Sequence, residues 1–146
     1  VGEEALVNGS RGIRFLTDVN KNQVDYDTLD GIVLPGGLVG TENLGKDPVV
    51  LRVIREFANK GKLVAAICAA PMVLGENHLL EGRKATCHPG FEEHLLGAKC
   101  LTDIVVRDEH IITSQGMGTT VPFGLEIVRY FGDDALVQKV KKGLAL

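Results

Sequence analysis

Between residues 29 and 67 the chain runs strand, helix, strand with short connections, which implies a right-handed crossover and hence a parallel sheet. Leu29-Asp30-Gly31-Ile32-Val33-Leu34 reads as a short buried strand, stopped by Pro35-Gly36-Gly37. Asp47 is placed to cap a helix that Pro48 opens, since proline at the first helical position sacrifices no intrahelical hydrogen bond. Val50, Leu51, Ile54, Phe57 and Ala58 recur at helical spacing, Lys60-Gly61 close the segment, and a second apolar strand follows over Leu63–Ile67.

The remainder fits the same layered plan. A strand is predicted around Lys84–Cys87, then a turn at His88-Pro89-Gly90. Ile104-Val105-Val106 and Ile111-Ile112-Thr113 read as two strands joined through Arg107-Asp108-Glu109-His110. A helix is predicted over Thr119–Tyr130, with Pro122 tolerable in its first turn, and another from Asp133-Asp134 through Lys141. No repeat or low-complexity linker interrupts the 146 residues, so residues 1–146 are read as a single α/β domain with helices on both faces of a mostly parallel sheet.

Composition excludes several classes. A net charge of −3 with scattered basic residues argues against a dedicated nucleic-acid binder, and Lys139, Lys141 and Lys142 read as a solvated helix face. No apolar run approaches the roughly 20 residues that span a bilayer. No secretory signal is visible. Three cysteines without a C-x-x-C pair suggest neither a disulfide scaffold nor a zinc site, and reduced thiols in a cytoplasmic protein are the simplest reading. His78, His94 and His110 stand in no motif and read as surface residues.

The chemistry points to Gly61-Lys62-Leu63-Val64-Ala65-Ala66-Ile67-Cys68-Ala69-Ala70-Pro71. An apolar strand ends on a cysteine and a helix-compatible segment begins at once, which is the layout of a nucleophile elbow. Ala66 and Ala70 occupy the flanking places where the G-x-S-x-G motif keeps glycines, because so tight a turn has no room for large side chains. A thiol over a helix N-terminus is placed where the thiolate is favoured. The alternative is a core cysteine that merely follows an apolar strand.

Four segments in this order, Leu34-Pro35-Gly36-Gly37, Ala65 through Pro71, Thr86-Cys87-His88-Pro89 and Thr113 through Thr119, resemble the ThiJ/PfpI superfamily in its DJ-one-like branch. The resemblance runs from about Ser10 to the C-terminus. It implies a flavodoxin-like three-layer sandwich, a homodimer, and a reactive elbow cysteine, Cys68. It also implies a pocket in which the backbone N–H groups of Gly37 and Ala69 face an oxyanion, with Gly36, Gly37, Ala69 and Arg11 forming the oxyanion- and substrate-binding set. His88 matches the family histidine near the cysteine, as a general base or as a turn histidine. Arg11, in Ser10-Arg11, could hold a substrate carboxylate, bridge the dimer, or be an exposed loop arginine. Where many relatives carry G-P-G-T this chain has Gly116-Met117-Gly118-Thr119, and both glycines that shape the turn survive. Cys87 is either a packed strand cysteine or a resolving thiol for Cys68, and Cys100 has no functional context.

Relatives also carry an upstream strand and a helix with a D-G-x-E-E-type motif whose glutamate meets the cysteine. Gly2-Glu3-Glu4 looks like that motif but stands too close to Arg11, so Glu3 and Glu4 are given no catalytic role. The chain is thus expected to lack its N-terminal strand and helix and to associate with a missing or cleaved N-terminal segment. The resemblance implies a cofactor-independent glyoxalase or protein deglycase acting on small carbonyl substrates, 2-oxoaldehydes such as methylglyoxal and their adducts. The alternative is an oxidative-stress sensor or chaperone built on an oxidisable cysteine. A peptidase or amidase is weakly supported, since those members keep a histidine directly after the cysteine and here Ala69 follows.

Overall fold

Two strands of alternating side chains split the interior of this protein into two cores, one on each face of a sheet. A computed structural model of the protein describes residues 6–9 and 11–146. Gly2, Glu3, Glu4 and Ser10 lie outside the described residues. A hairpin of β1 (Leu6–Asn8) and β2 (Arg14–Leu16) comes first, followed by β3 (Gly31–Leu34), α1 (Leu38–Lys46), α2 (Pro48–Asn59), β4 (Leu63–Ile67) and α3 (Pro71–Glu76). Then come β5 (Lys84–Ala85), β6 (Lys99–Cys100), β7 (Val105–Asp108), β8 (Ile111–Ser114), α4 (Thr120–Phe131) and α5 (Asp134–Gly143).

The main sheet has the order β3-β4-β8-β7, with β3, β4 and β8 parallel and β7 antiparallel to β8. Successive side chains of a strand point to opposite faces. Val64, Ala66 and Ile111 therefore meet Val50, Val53, Ile54 and Phe57 of α2, while Leu63, Ala65 and Ile112 meet Phe123 of α4. Burial on both faces explains why β4 is apolar along its whole length. The result is the three-layer, flavodoxin-like α/β sandwich that the sequence led us to expect. Among the described residues no helix is long and apolar enough to cross a membrane.

Asp47 fixes the start of α2. Its carboxylate accepts hydrogen bonds from the backbone N–H groups of Val49 (2.9 Å) and Val50 (3.2 Å), and Lys21 pairs with it. Such a cap contributes about 1 kcal/mol. Burial raises the Asp47 pKa, but Lys21 and the two N–H groups outweigh it and hold the carboxyl below its usual range. Burying Phe57, which is 1% exposed, adds roughly 1.5–3 kcal/mol.

The structure departs from the sequence reading in four places. The pairing of β1 with β2 and the nine-residue α1 were not foreseen. The strand expected over Lys84–Cys87 stops at Ala85 and pairs with β6 in a small parallel sheet of its own. It stops because the next donors are taken elsewhere: Thr86 N–H by the Thr113 hydroxyl (2.9 Å) and His88 N–H by the Cys68 carbonyl (2.9 Å). His110, expected on the surface, keeps only 13% of its side chain exposed, and its buried Nε2 has no partner among the described residues.

Candidate functional site: a cysteine elbow with two open backbone donors

Cys68 follows the last residue of β4 with φ of 67°, in the left-handed region that residues with a Cβ avoid. That conformation costs roughly 1–2 kcal/mol. It is held by hydrogen bonds on both sides of the residue. Cys68 N–H donates to the Ser114 carbonyl, which extends the β4–β8 ladder by one step, and the Cys68 carbonyl accepts from His88 N–H, both at 2.9 Å. The flanking Ala66 and Ala70 are completely buried, and Pro71 opens α3 directly after the turn. Cys68 is half-buried.

The Pro35-Gly36-Gly37 segment leaves β3 alongside this turn. A Cβ on Gly36 would stand 2.5 Å from Cys68 Cβ, 2.9 Å from the Ile67 carbonyl oxygen and 3.2 Å from Cys68 Sγ. Glycine is required there by the close approach. Gly37, with φ of 95°, turns the chain into α1. Its carbonyl accepts from Thr41 N–H as the first bond of that helix. Among the described residues neither Gly37 N–H nor Ala69 N–H meets a protein acceptor. One of these donors lies beside Gly36 and the other directly follows Cys68, so the elbow carries open N–H groups on the strands' carboxyl-end side, where open α/β sheets bind ligands.

His88 sits on the turn after β5. Its Nδ1 lies 2.9 Å from the Pro89 carbonyl oxygen, and since a carbonyl only accepts, Nδ1 carries the proton and Nε2 is left as the acceptor. Phe91 packs edge-on against the ring at 5.9 Å, and Gly116 approaches it closely enough that a Cβ there would lie 3.6 Å from His88 Cδ2. The imidazole edge thus lies beside the Gly116-Met117-Gly118-Thr119 turn, which persists without proline as a short 3-10 turn before α4. Arg11 stands apart. It is exposed in the β1–β2 connection, and among the described residues no hydrogen bond or ion pair ties it to the elbow.

The sequence reading missed a set of hydroxyls that fasten these pieces together. Ser114 Oγ donates to the Ile104 carbonyl (2.8 Å) and meets Thr119 Oγ1 (2.6 Å), which also accepts from Gly116 N–H (3.0 Å). With the Thr86–Thr113 bond, the end of β8 anchors the His88 segment, the glycine turn and the elbow at once. Two hydroxyl residues ending an apolar strand, Ile111-Ile112-Thr113-Ser114, were the available signal. Cys87 is a packed cysteine, 3% exposed, and the thiol it meets is Cys100. Burial, then the neighbouring Cys100 and Glu92, push its pKa up to about 12.

Known proteins share this arrangement of elements. The chain is 39% identical over 145 residues to Drosophila melanogaster dj-1beta, covering 98% of this chain and 77% of that protein. The crystal structure of Drosophila DJ-1beta superposes with a TM-score of 0.91 at 37% identity, over 97% of this chain and 77% of that one. The glutathione-independent glyoxalase DJR-1.2 of Caenorhabditis elegans is 34% identical over 142 residues, covering 96% of this chain and 75% of that protein. Toxoplasma gondii DJ-1, solved in an oxidized form, gives a TM-score of 0.93 at 28% identity, over 99% of this chain and 79% of that one. The family model described as DJ-1/PfpI matches residues 1–130, the span that holds the strand–helix–strand unit, the strained cysteine and the glycine turn, and the chain belongs to the DJ-1/PfpI family.

Proposed function

We propose that the protein is a cofactor-independent glyoxalase or deglycase that converts 2-oxoaldehydes through Cys68. The observation that carries this reading is the pairing of a half-buried cysteine in a strained turn with two backbone donors that meet no acceptor among the described residues. The similarity to a glutathione-independent glyoxalase supports it.

In the proposed reaction the Cys68 thiolate attacks the aldehyde carbon of methylglyoxal. A carbon–sulfur bond forms and the carbonyl electrons move onto oxygen, giving a hemithioacetal oxyanion that the N–H groups of Gly37 and Ala69 hold. Donors of this kind lower the barrier by about 3–4 kcal/mol each. His88, with Nε2 as its basic nitrogen, then carries the proton from the former aldehyde carbon to its neighbour, leaving a lactoyl thioester. Water cleaves the thioester, releasing lactate and the free thiol. Arg11 is a weaker candidate for the substrate's far end, because only its exposure favours it. Lactate formation from methylglyoxal by the full-length protein, without glutathione, tests the activity.

A second reading makes Cys68 an oxidation sensor, and the relative solved in an oxidized form favours it. An accessible thiol oxidised to sulfinate would then create a function, such as protecting a client protein from aggregation. Oxoaldehyde turnover and client protection, measured on one peroxide-titrated sample, separate the two. Loss of turnover in step with oxidation supports the enzyme, whereas protection gained on oxidation without turnover in the reduced state supports the sensor.

A further inference from the structure

A second pair of sulfurs lies away from the elbow. Cys87 and Cys100 line one cavity of about 420 Å³, together with Thr86, Glu92, Leu101 and Gln115. Strand pairing brings them there. In the small parallel sheet Ala85 stands opposite Cys100, and Leu101 N–H donates to the Ala85 carbonyl at 2.8 Å. Side chains alternate along an extended chain, so Cys87, two residues beyond Ala85, continues on the face that Cys100 occupies. The two thiols are electrostatic neighbours across this cavity, and the presence of Cys100 helps to raise the Cys87 pKa. Cys87 is buried, whereas Cys100 is exposed on a two-residue strand.

We propose that Cys87 and Cys100 form a second redox site, closing an intramolecular disulfide in the presence of a hydroperoxide. Cys100 is the thiol open to solvent, and it takes the first step. Its thiolate attacks the peroxide, the O–O bond breaks, and a sulfenic acid and hydroxide are formed. The Cys87 sulfur then displaces the sulfenic hydroxyl: the S–S bond forms and water leaves. The sum is two thiols and one hydrogen peroxide giving one disulfide and two waters. Burial and the Glu92 charge raise the Cys100 pKa, and burial raises that of Cys87 to about 12, so closure is slow at neutral pH and speeds up toward alkaline pH. The bridge would fasten the segment that leads into His88, whose N–H holds the Cys68 carbonyl, and so links this site to the elbow.

The test uses full-length protein carrying Cys68→Ala, which removes the competing thiol. After treatment with hydrogen peroxide, free thiols are alkylated and the protein is mapped without reduction. The expected result is a cross-linked peptide pair joining Cys87 to Cys100, reversed by dithiothreitol, with intact mass lower by two hydrogens. Introducing Cys100→Ser at the exposed position should leave Cys87 reduced under the same treatment. A monomer in which Cys100 is sulfinic acid while Cys87 remains alkylatable would overturn the proposal. So would a disulfide between the Cys100 residues of two chains, or oxidation of Cys87 in the Cys100→Ser protein at an unchanged rate.

Discussion

Gly36 packs against Cys68 so closely that a single methyl group at position 36 would come within 2.5 Å of the cysteine's Cβ. The backbone carbonyl of Ile67, 2.9 Å from the same point, closes the other route of escape. Gly36→Ala must therefore push the elbow away from the Pro35-Gly36-Gly37 segment. Overpacking of this kind costs about 1–3 kcal/mol. Urea denaturation should show that loss together with a fall in oxoaldehyde turnover larger than the stability change explains.

The strain at Cys68 makes a comparison between two variants informative. Cys68→Ala keeps a Cβ at φ of 67°, whereas Cys68→Gly removes it. Cys68→Gly should be the more stable of the two by about 1 kcal/mol, since the left-handed conformation costs a residue with a Cβ roughly 1–2 kcal/mol and extra backbone freedom in the unfolded chain returns part of it. Paired thermal melts read this directly, and a less stable glycine variant would mean that the turn is not strained.

The three thiols should separate by reactivity. Limiting iodoacetamide at neutral pH should label the partly open Cys68 ahead of the more exposed Cys100, because burial and the Glu92 charge hold the Cys100 thiol protonated, and should leave Cys87 unlabelled, because burial and its neighbours do the same there. Peptide mapping of the folded protein checks the order. Preferential labelling of Cys87 or Cys100 would remove Cys68 from its role.

His110 should make the fold sensitive to mild acid. Burial, followed by the Arg83 charge, lowers its pKa below the ordinary value of 6.5, and the carboxylates of Glu109 and Asp108 offset this only in part. A group that prefers to stay neutral in the folded state contributes stability above its unfolded pKa, and that contribution is lost as pH falls through the folded value. Stability should decline below about pH 6.5. His110→Gln should flatten that decline, as measured by urea midpoints across pH 5–8.

Much of the central unit was legible because its signals are local. Asp47-Pro48, the helical spacing from Val50 to Ala58, and small residues around Cys68 each act within a turn or two of chain. The α1 helix was hidden because Gly40, Thr41 and Gly45 are poor helix formers, and burial of Leu44 against the rest of the fold compensates. The meeting of Cys87 with Cys100 was hidden for another reason. It depends on pairing β5 with β6 across an intervening stretch whose path no periodicity announces. His110 read as a surface residue, and its burial beside a cavity that Arg83 also lines depends on tertiary packing.

The central claim is that Cys68 forms the bond to the substrate, and lactate production from methylglyoxal by wild-type, Cys68→Ala and His88→Ala full-length protein tests it most directly. Loss of the nucleophile should abolish turnover, and loss of the general base should reduce it by about 10²-fold or more. Unchanged lactate production by a folded Cys68→Ala protein would contradict the account.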